Sequence, residues 1–391
     1  MKKALLFLCA AVLAAACTKD SVPPADGNLD GDKVDVSSVS SAPGKLFVLN
    51  EGGLGSNNST LDFLRFSDGL YVRGAFRKMN PDVAAGLGDV GNDIVVHGDE
   101  VWIAVNNSGI VEVISAKDEK EIAAIPVPAP RNIAFDDKYA YVTSWAGAYV
   151  NYGSDYTIAD FKNPKGQVYR IDLKTKKIEG SVEVGYQPEG IAFYGGRLYV
   201  ANSGGIASQL PPDYAYDNTL SIIDASSFTL SSSVSVAVNL KSVLSDGNGL
   251  IYVGSYGNFY DIHSAIYVLH ADNPQRVSRV GAEHIDPDAL HVSACCIYGN
   301  TVYCVGTSNE FEWDAVHTHY LWSVSNGELV FYPFEFSGTP YGLCVLDGEY
   351  LFLGDAGDYY NPGTVSCYSI YNESKLWSVA AGVCPGHFAI W

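Results

Sequence analysis

The sequence predicts an all-β fold: a seven-bladed β-propeller closed by the C-terminal strand pairing into the first blade. Three observations lead there. The composition is that of strands and turns, with 26 Tyr and 39 Gly against 2 Met and only 17% charged residues. One two-strand phrase recurs along the chain at a spacing of roughly 40–50 residues, the period of a propeller blade. Each end of the repeating region carries half of that phrase, as a ring joined by its own termini would.

Taken in order, the chain opens with Lys2 and Lys3 before an apolar run, Ala4 to Ala16, which is too short to span a bilayer as a helix. The run ends Leu13-Ala14-Ala15-Ala16-Cys17, small residues before a Cys as in a bacterial lipobox. Residues 1–16 therefore read as a lipoprotein signal peptide, with Cys17 as the lipidated mature N-terminus. An ordinary secretory signal cleaved near the Ala run is the other reading. Residues 17–43 are rich in Ser, Asp, Gly and Pro and read as a flexible tether without a core. Within them Asp26-x-Asn28-x-Asp30-Gly31 matches the start of a calcium loop. Its twelfth position is Ser37 where Glu is required, so no metal is expected there.

Residues 44–391 are the propeller. First-strand phrases pair with second-strand phrases across short turns: Asn92-Asp93-Ile94-Val95-Val96 with Val101-Trp102-Ile103-Ala104-Val105, then Arg131-Asn132-Ile133-Ala134-Phe135 with Ala140-Tyr141-Val142-Thr143-Ser144. Glu189-Gly190-Ile191-Ala192-Phe193 with Leu198-Tyr199-Val200-Ala201-Asn202 is a third copy. Weaker copies surround Val243, Cys295 and Leu343. With Ile94, Ile133, Ile191, Val243, Cys295 and Leu343 equivalent, the steps are 39, 58, 52, 52 and 48 residues. A third strand follows in each unit, as in Val168-Tyr169-Arg170-Ile171-Asp172 and Leu220-Ser221-Ile222-Ile223-Asp224, and then a fourth, as in Ser181-Val182-Glu183-Val184. Lys45-Leu46-Phe47-Val48-Leu49-Asn50 is a second strand without its first. Gly386-His387-Phe388-Ala389-Ile390-Trp391 is a first strand without its second. Joined, they complete a seventh blade and remove two open sheet edges.

Several phrases carry a family resemblance: Asn50-Glu51-Gly52 with Ser56-Asn57-Asn58-Ser59-Thr60-Leu61, Gly91-Asn92-Asp93-Ile94, Pro130-Arg131, Tyr141-Val142-Thr143-Ser144, Pro188-Glu189-Gly190-Ile191-Ala192 and Tyr199-Val200-Ala201-Asn202-Ser203. Over residues 45–391 the chain resembles the YncE/YVTN-type seven-bladed propellers, especially the lipoprotein branch common in Bacteroidetes. Well-understood members of that branch are surface lipoproteins that capture vitamin B12 and pass it to an outer-membrane transporter. The stretches from Asn202 to Asn218 and from Gly254 to Asp261 look most like those binders. The chain departs from them in extra loop at 145–165 and in a Trp-bearing loop at 309–319. The resemblance implies an outer-membrane location with the lipid-anchored protein on the cell surface, the periplasmic face being the other option.

In a propeller, the loops after second strands and those before first strands meet on one face around the central channel. The candidate ligand-binding residues there are Asn50, Glu51, Asn106, Trp145, Tyr149, Asn202, Tyr256, Asn258, Tyr260, Trp313, Asp355 and Tyr359 after second strands. Before first strands stand Arg131, Asn132, Glu189, His291, Tyr341 and His387, with Lys241 in the same place. Flat aromatic faces and amide groups suit a large neutral ligand bearing amides or hydroxyls. A corrinoid fits that description, and so does an oligosaccharide. Arg131 and Glu189 are equally readable as a structural ion pair between blades. His317-x-His319 places two imidazoles on one strand face, without a third metal ligand to join them.

Six cysteines fall near the C-terminal end: Cys295, Cys296, Cys304, Cys344, Cys367 and Cys384. Most sit in apolar phrases and are expected as buried thiols, with at most one bridge. Lys and Arg number 24 against 44 Asp and Glu, a formal charge of −20. Such a surface repels phosphate backbones, so nucleic acid is not an expected partner. G-x-S-x-G, H-E-x-x-H and P-loop signatures are absent. The expectation is a binding protein that is not an enzyme and uses no cofactor. Its partners would be the membrane through Cys17, a small-molecule ligand and an outer-membrane transporter. A protein- or glycan-interaction module and a metal-dependent lactonase or lyase are the alternatives.

Overall fold

A computed structural model of the chain describes residues 30–39, 44–146, 165–204, 216–281, 290–307 and 317–391. Seven antiparallel sheets stand around a common axis, six of four strands and one of five. Their innermost strands are Pro385–Ile390, Gly91–His97, Pro130–Phe135, Pro188–Tyr194, Leu240–Ser245, Ala294–Tyr298 and Pro340–Leu346. Each of these touches the innermost strand of the next blade, all the way round the ring. The positions taken as equivalent in the sequence, from Ile94 to Leu343, all lie on these strands.

Blade two shows how a period of two builds the ring. Its second strand is Glu100–Val105. Val101, Ile103 and Val105 point into the seam with blade one, where they meet Phe47, Leu49 and Phe63. Trp102 and Ala104 point the other way, against Ile133 and Phe135 of blade three. Successive side chains of a strand face opposite sides, so each blade is apolar on both faces and feeds two seams. Seven apolar clusters result, one per seam.

Closure occurs where the half-phrases predict it. Lys45–Asn50 pairs with Pro385–Ile390, with Leu46 opposite Ile390, Phe47 opposite Ala389 and Val48 opposite Phe388. Lys45 also reaches across to blade two. Its ammonium meets Glu119 Oε1 at 2.5 Å and the Ala116 carbonyl at 3.0 Å, beneath the Phe63 and Trp391 rings.

The tether expectation needs correction over residues 30–39. Asp32–Lys33 adds a fifth strand to blade one, with Asp32 opposite Tyr71 and Lys33 opposite Leu70. Val39 is fully buried, and Val34 and Val36 pack on the seam between blades seven and one. The Tyr350 hydroxyl donates to the Ser38 carbonyl. A three-valine pattern inside a Ser- and Asp-rich stretch is enough to dock it on a preformed apolar seam. The six cysteines, for their part, are free thiols, and no bridge joins them. Burial pushes the Cys344 and Cys367 thiols up to about 12.

Candidate functional site at the channel mouth

The two sides of the disc differ in how much chain they carry. One side is made of tight turns such as 98–99, 195–196 and 299–300. Among the described residues, the other collects the connections 51–59 and 256–264 between second and third strands, together with 73–90 between blades. Long connections concentrated on one face of a rigid scaffold are where binding residues accumulate.

That face surrounds the mouth of the channel. The repeat puts the second residue of each innermost strand at one depth in the ring, so Asn92, Arg131, Glu189, Lys241 and Tyr341 gather there. Arg131 Nε and Nη2 each lie 2.9 Å from Glu189 Oε2, and Lys241 Nζ lies 3.0 Å from the same oxygen. Arg131 Nη1 donates to Asn92 Oδ1, and its guanidinium lies under the Trp145 ring at 4.4 Å. Three successive blades are thus joined by one carboxylate shared between two cations. Burial opposes the charge of Glu189, but Arg131 and then Lys241 outweigh it and hold its carboxyl below the usual value. Burial lowers the Lys241 ammonium, which Glu189 only partly counters.

A second polar group lies beside the first. The Tyr341 hydroxyl donates to Glu51 Oε2. Burial raises the Glu51 carboxyl, and burial together with Glu51 raises the Tyr341 hydroxyl. Deeper in the channel, burial and the positive charges of Arg131 and Lys241 push His387 down to about 3, so its imidazole is neutral. Asp93 is raised to about 6 by burial while accepting from the Ile133 and Ile94 amides at 2.8 and 3.0 Å, which stitches blade two to blade three.

The structure brings together Glu51, Arg131, Trp145, Glu189, Tyr341 and His387 from the predicted set. Tyr359 packs edge-on against Tyr341 with ring centroids 5.8 Å apart, and the Tyr256 hydroxyl donates to the Ser293 carbonyl at 3.2 Å. Other predicted residues spend their polar groups within the scaffold. Asn50 donates to Thr60 Oγ1 and accepts from the Gly382 amide, both at 3.0 Å. Asn106 donates to the Pro130 carbonyl at 3.1 Å, and Asn202 to Thr219 Oγ1 and Ser221 Oγ at 3.0 and 2.9 Å. The Asn132 backbone N–H donates to Thr143 Oγ1 at 2.9 Å. His291 is bonded to the Thr307 carbonyl and stacked on His263. Asp355 accepts from the Thr339 and Gly357 amides, each at 2.9 Å. Asn258 and Tyr260 stand in the 256–264 connection of the same face, where Asn258 Oδ1 accepts from the Tyr260 amide at 3.0 Å and the Tyr260 ring is exposed. Tyr149, Trp313 and Cys17 lie outside the described residues. Asn92 escaped the sequence-based expectation, although its place one residue into a first strand matches that of Arg131 and Glu189.

Fold and site together define a seven-bladed propeller with a charged, internally paired channel mouth. No family model matches the chain, and no curated protein matches it. Among solved structures, hydrazine synthase of Kuenenia stuttgartiensis is similar, with a TM-score of 0.56 and 16% identity over 76% of this chain and 88% of that one. The computationally designed protein Ika8 is similar at a TM-score of 0.47 and 9% identity, over 76% of this chain and 89% of its own. The first likeness shows the propeller fold alone, and the second carries no argument.

Proposed function

We propose that this chain is a lipid-anchored cell-surface protein that captures a broad, uncharged small molecule on its loop-bearing face and passes it, chemically unchanged, to an outer-membrane transporter. A corrinoid such as vitamin B12 is the ligand this reading favours. The observation that carries it is the asymmetry of the disc: among the described residues, the longer connections 51–59, 73–90 and 256–264 and the rings of Trp145, Tyr256, Tyr341 and Tyr359 lie on the side of one mouth, while tight turns make up the other side. The polar groups at that mouth already satisfy one another. Glu189 takes up Arg131 and Lys241, and Glu51 takes up Tyr341. Such a surface offers hydrogen bonds and ring faces in place of a free charge, which suits a neutral ligand with peripheral amides.

The test is incubation with cyanocobalamin followed by desalting and isothermal titration. Retention of the pink chromophore by the protein is the expected outcome, and a colourless protein with no heat of binding rejects the corrinoid. Divalent-metal-dependent hydrolysis of a lactone would reject the non-catalytic role. Cys17→Ser should move the protein from the membrane to the soluble fraction.

A further inference from the structure

Two loops on the binding face are the same turn, made twice. The loop of blade five reads Gly254-Ser255-Tyr256-Gly257-Asn258-Phe259-Tyr260-Asp261, and that of blade seven, one hundred positions later, reads Gly354-Asp355-Ala356-Gly357-Asp358-Tyr359-Tyr360-Asn361. Five of their hydrogen bonds correspond. The Tyr256 amide donates to the Asn239 carbonyl at 3.1 Å, as Ala356 does to Thr339 at 2.9 Å. Gly257 N–H donates to Ser255 Oγ at 3.1 Å, as Gly357 N–H does to Asp355 Oδ1 at 2.9 Å. Asn258 Oδ1 accepts from the amides of Tyr260 and Asp261, each at 3.0 Å. Asp358 Oδ1 accepts from those of Tyr360 and Asn361 at 3.0 and 2.8 Å. A side-chain bridge closes each tip with the residue types exchanged. Asn258 Nδ2 donates to Asp261 Oδ1 at 2.6 Å, and Asn361 Nδ2 donates to Asp358 Oδ2 at 2.7 Å.

Both loops hold an aromatic residue in the left-handed region, Phe259 at φ 59° and Tyr359 at φ 66°. L-residues occupy that region at a cost, and Gly, Asn or Asp would sit there more easily. Each turn then presents the next residue outward. Tyr260 is 65% exposed and Tyr360 is 87% exposed. Large exposed rings on rigid, pre-ordered turns are binding platforms in search of a flat partner, because little ordering remains to be done on contact.

We propose that Tyr260 and Tyr360 are a matched pair of aromatic platforms that hold one broad, uncharged ligand at two points on the rim. The breadth follows from the architecture: blade six stands between blades five and seven, so a molecule touching both must span a whole blade. The tips bear on charge as well: the carboxylates of Asp261 and Asp358, which accept from Asn258 and Asn361, disfavour an anionic ligand beside the rings, and the neutrality of the ligand is carried over from the ligand-capture reading. This assignment rests on the ligand-capture reading and gives it its contact residues.

The experiment measures binding of cyanocobalamin and of neutral oligosaccharides to the full chain, to Tyr260→Ala, to Tyr360→Ala and to the double variant. Thermal unfolding serves as a check on folding. Each single variant should weaken binding of the accepted probe about fivefold, the double roughly 25-fold, and Tyr→Phe at both positions should restore most of it. A probe that binds wild type and the folded double variant equally overturns the paired platforms and leaves the capture reading standing. Binding of none of the probes overturns both. A protein partner captured by wild type and lost by the double variant overturns the small-molecule class.

Discussion

Single buried side chains in this ring carry consequences out of proportion to their size. Glu112 lies on a third strand of blade two, 2% exposed, with Oε1 lacking a hydrogen-bond partner. Burial, with a smaller contribution from Glu121, raises its carboxyl from 4.5 to about 8. The folded protein therefore holds this proton more tightly than the unfolded chain. The stabilisation is complete below pH 4.5 and is lost as pH rises through 8. Within that window the loss runs at up to about 1.4 kcal/mol per pH unit. Glu112→Gln, isosteric and unable to ionise, should gain stability over wild type progressively from pH 5 to pH 8, read by urea unfolding. An equal difference at both pH values would show that Glu112 is ionised or solvated in the fold. Glu189 works the other way: its charge is held by two cations, and removing it would strand both.

At the scale of elements, the decisive contact is between neighbouring innermost strands. A Cβ at Gly342 would stand 1.9 Å from the Gly386 carbonyl oxygen, and one at Gly354 1.9 Å from that of Pro385. Blade seven can approach the closing strand only because no side chain is there. Gly342→Ala must push the two apart and should cost about 2 kcal/mol, seen as a lower urea midpoint. An unchanged midpoint would mean the seam is loose. The added strand Asp32–Lys33 belongs to the same level: it covers the outer edge of blade one, which would otherwise expose unpaired backbone groups.

For the whole molecule, closure is the governing event. Lys45–Asn50 and Pro385–Ile390 come from opposite ends of the propeller and share one sheet. The Lys45–Glu119 pair, buried at 9% and 2% side-chain exposure, locks that sheet to blade two. Lys45→Met leaves Glu119 uncompensated and should cost about 3 kcal/mol, whereas the double variant Lys45→Met with Glu119→Leu should recover most of that loss. Thermal midpoints of the three proteins decide it: a single variant as stable as wild type would show that the pair holds nothing.

Much of this was legible without coordinates. Alternation of apolar residues is a local property, and the backbone obeys it locally, so blade number, strand order and the joined ends could all be read from phrases a few residues long. The docking of residues 30–39 was hidden because Asp32–Lys33 becomes a strand, and the three valines after it become core, only when a finished sheet edge and seam receive them. The rim was half readable for a related reason. Asn50, Asn106 and Asn202 look like ligand amides in a line of text, yet strand ends of the same or the next blade bring backbone carbonyls and hydroxyls beside them, and those claim the side chains first. Composition and periodicity by themselves determined that a ring of sheets would form. Only the tertiary structure decided which polar groups satisfy one another across seams and which face the open mouth, because a hydrogen bond is assigned by the partner within 3 Å and that partner is supplied by distant chain.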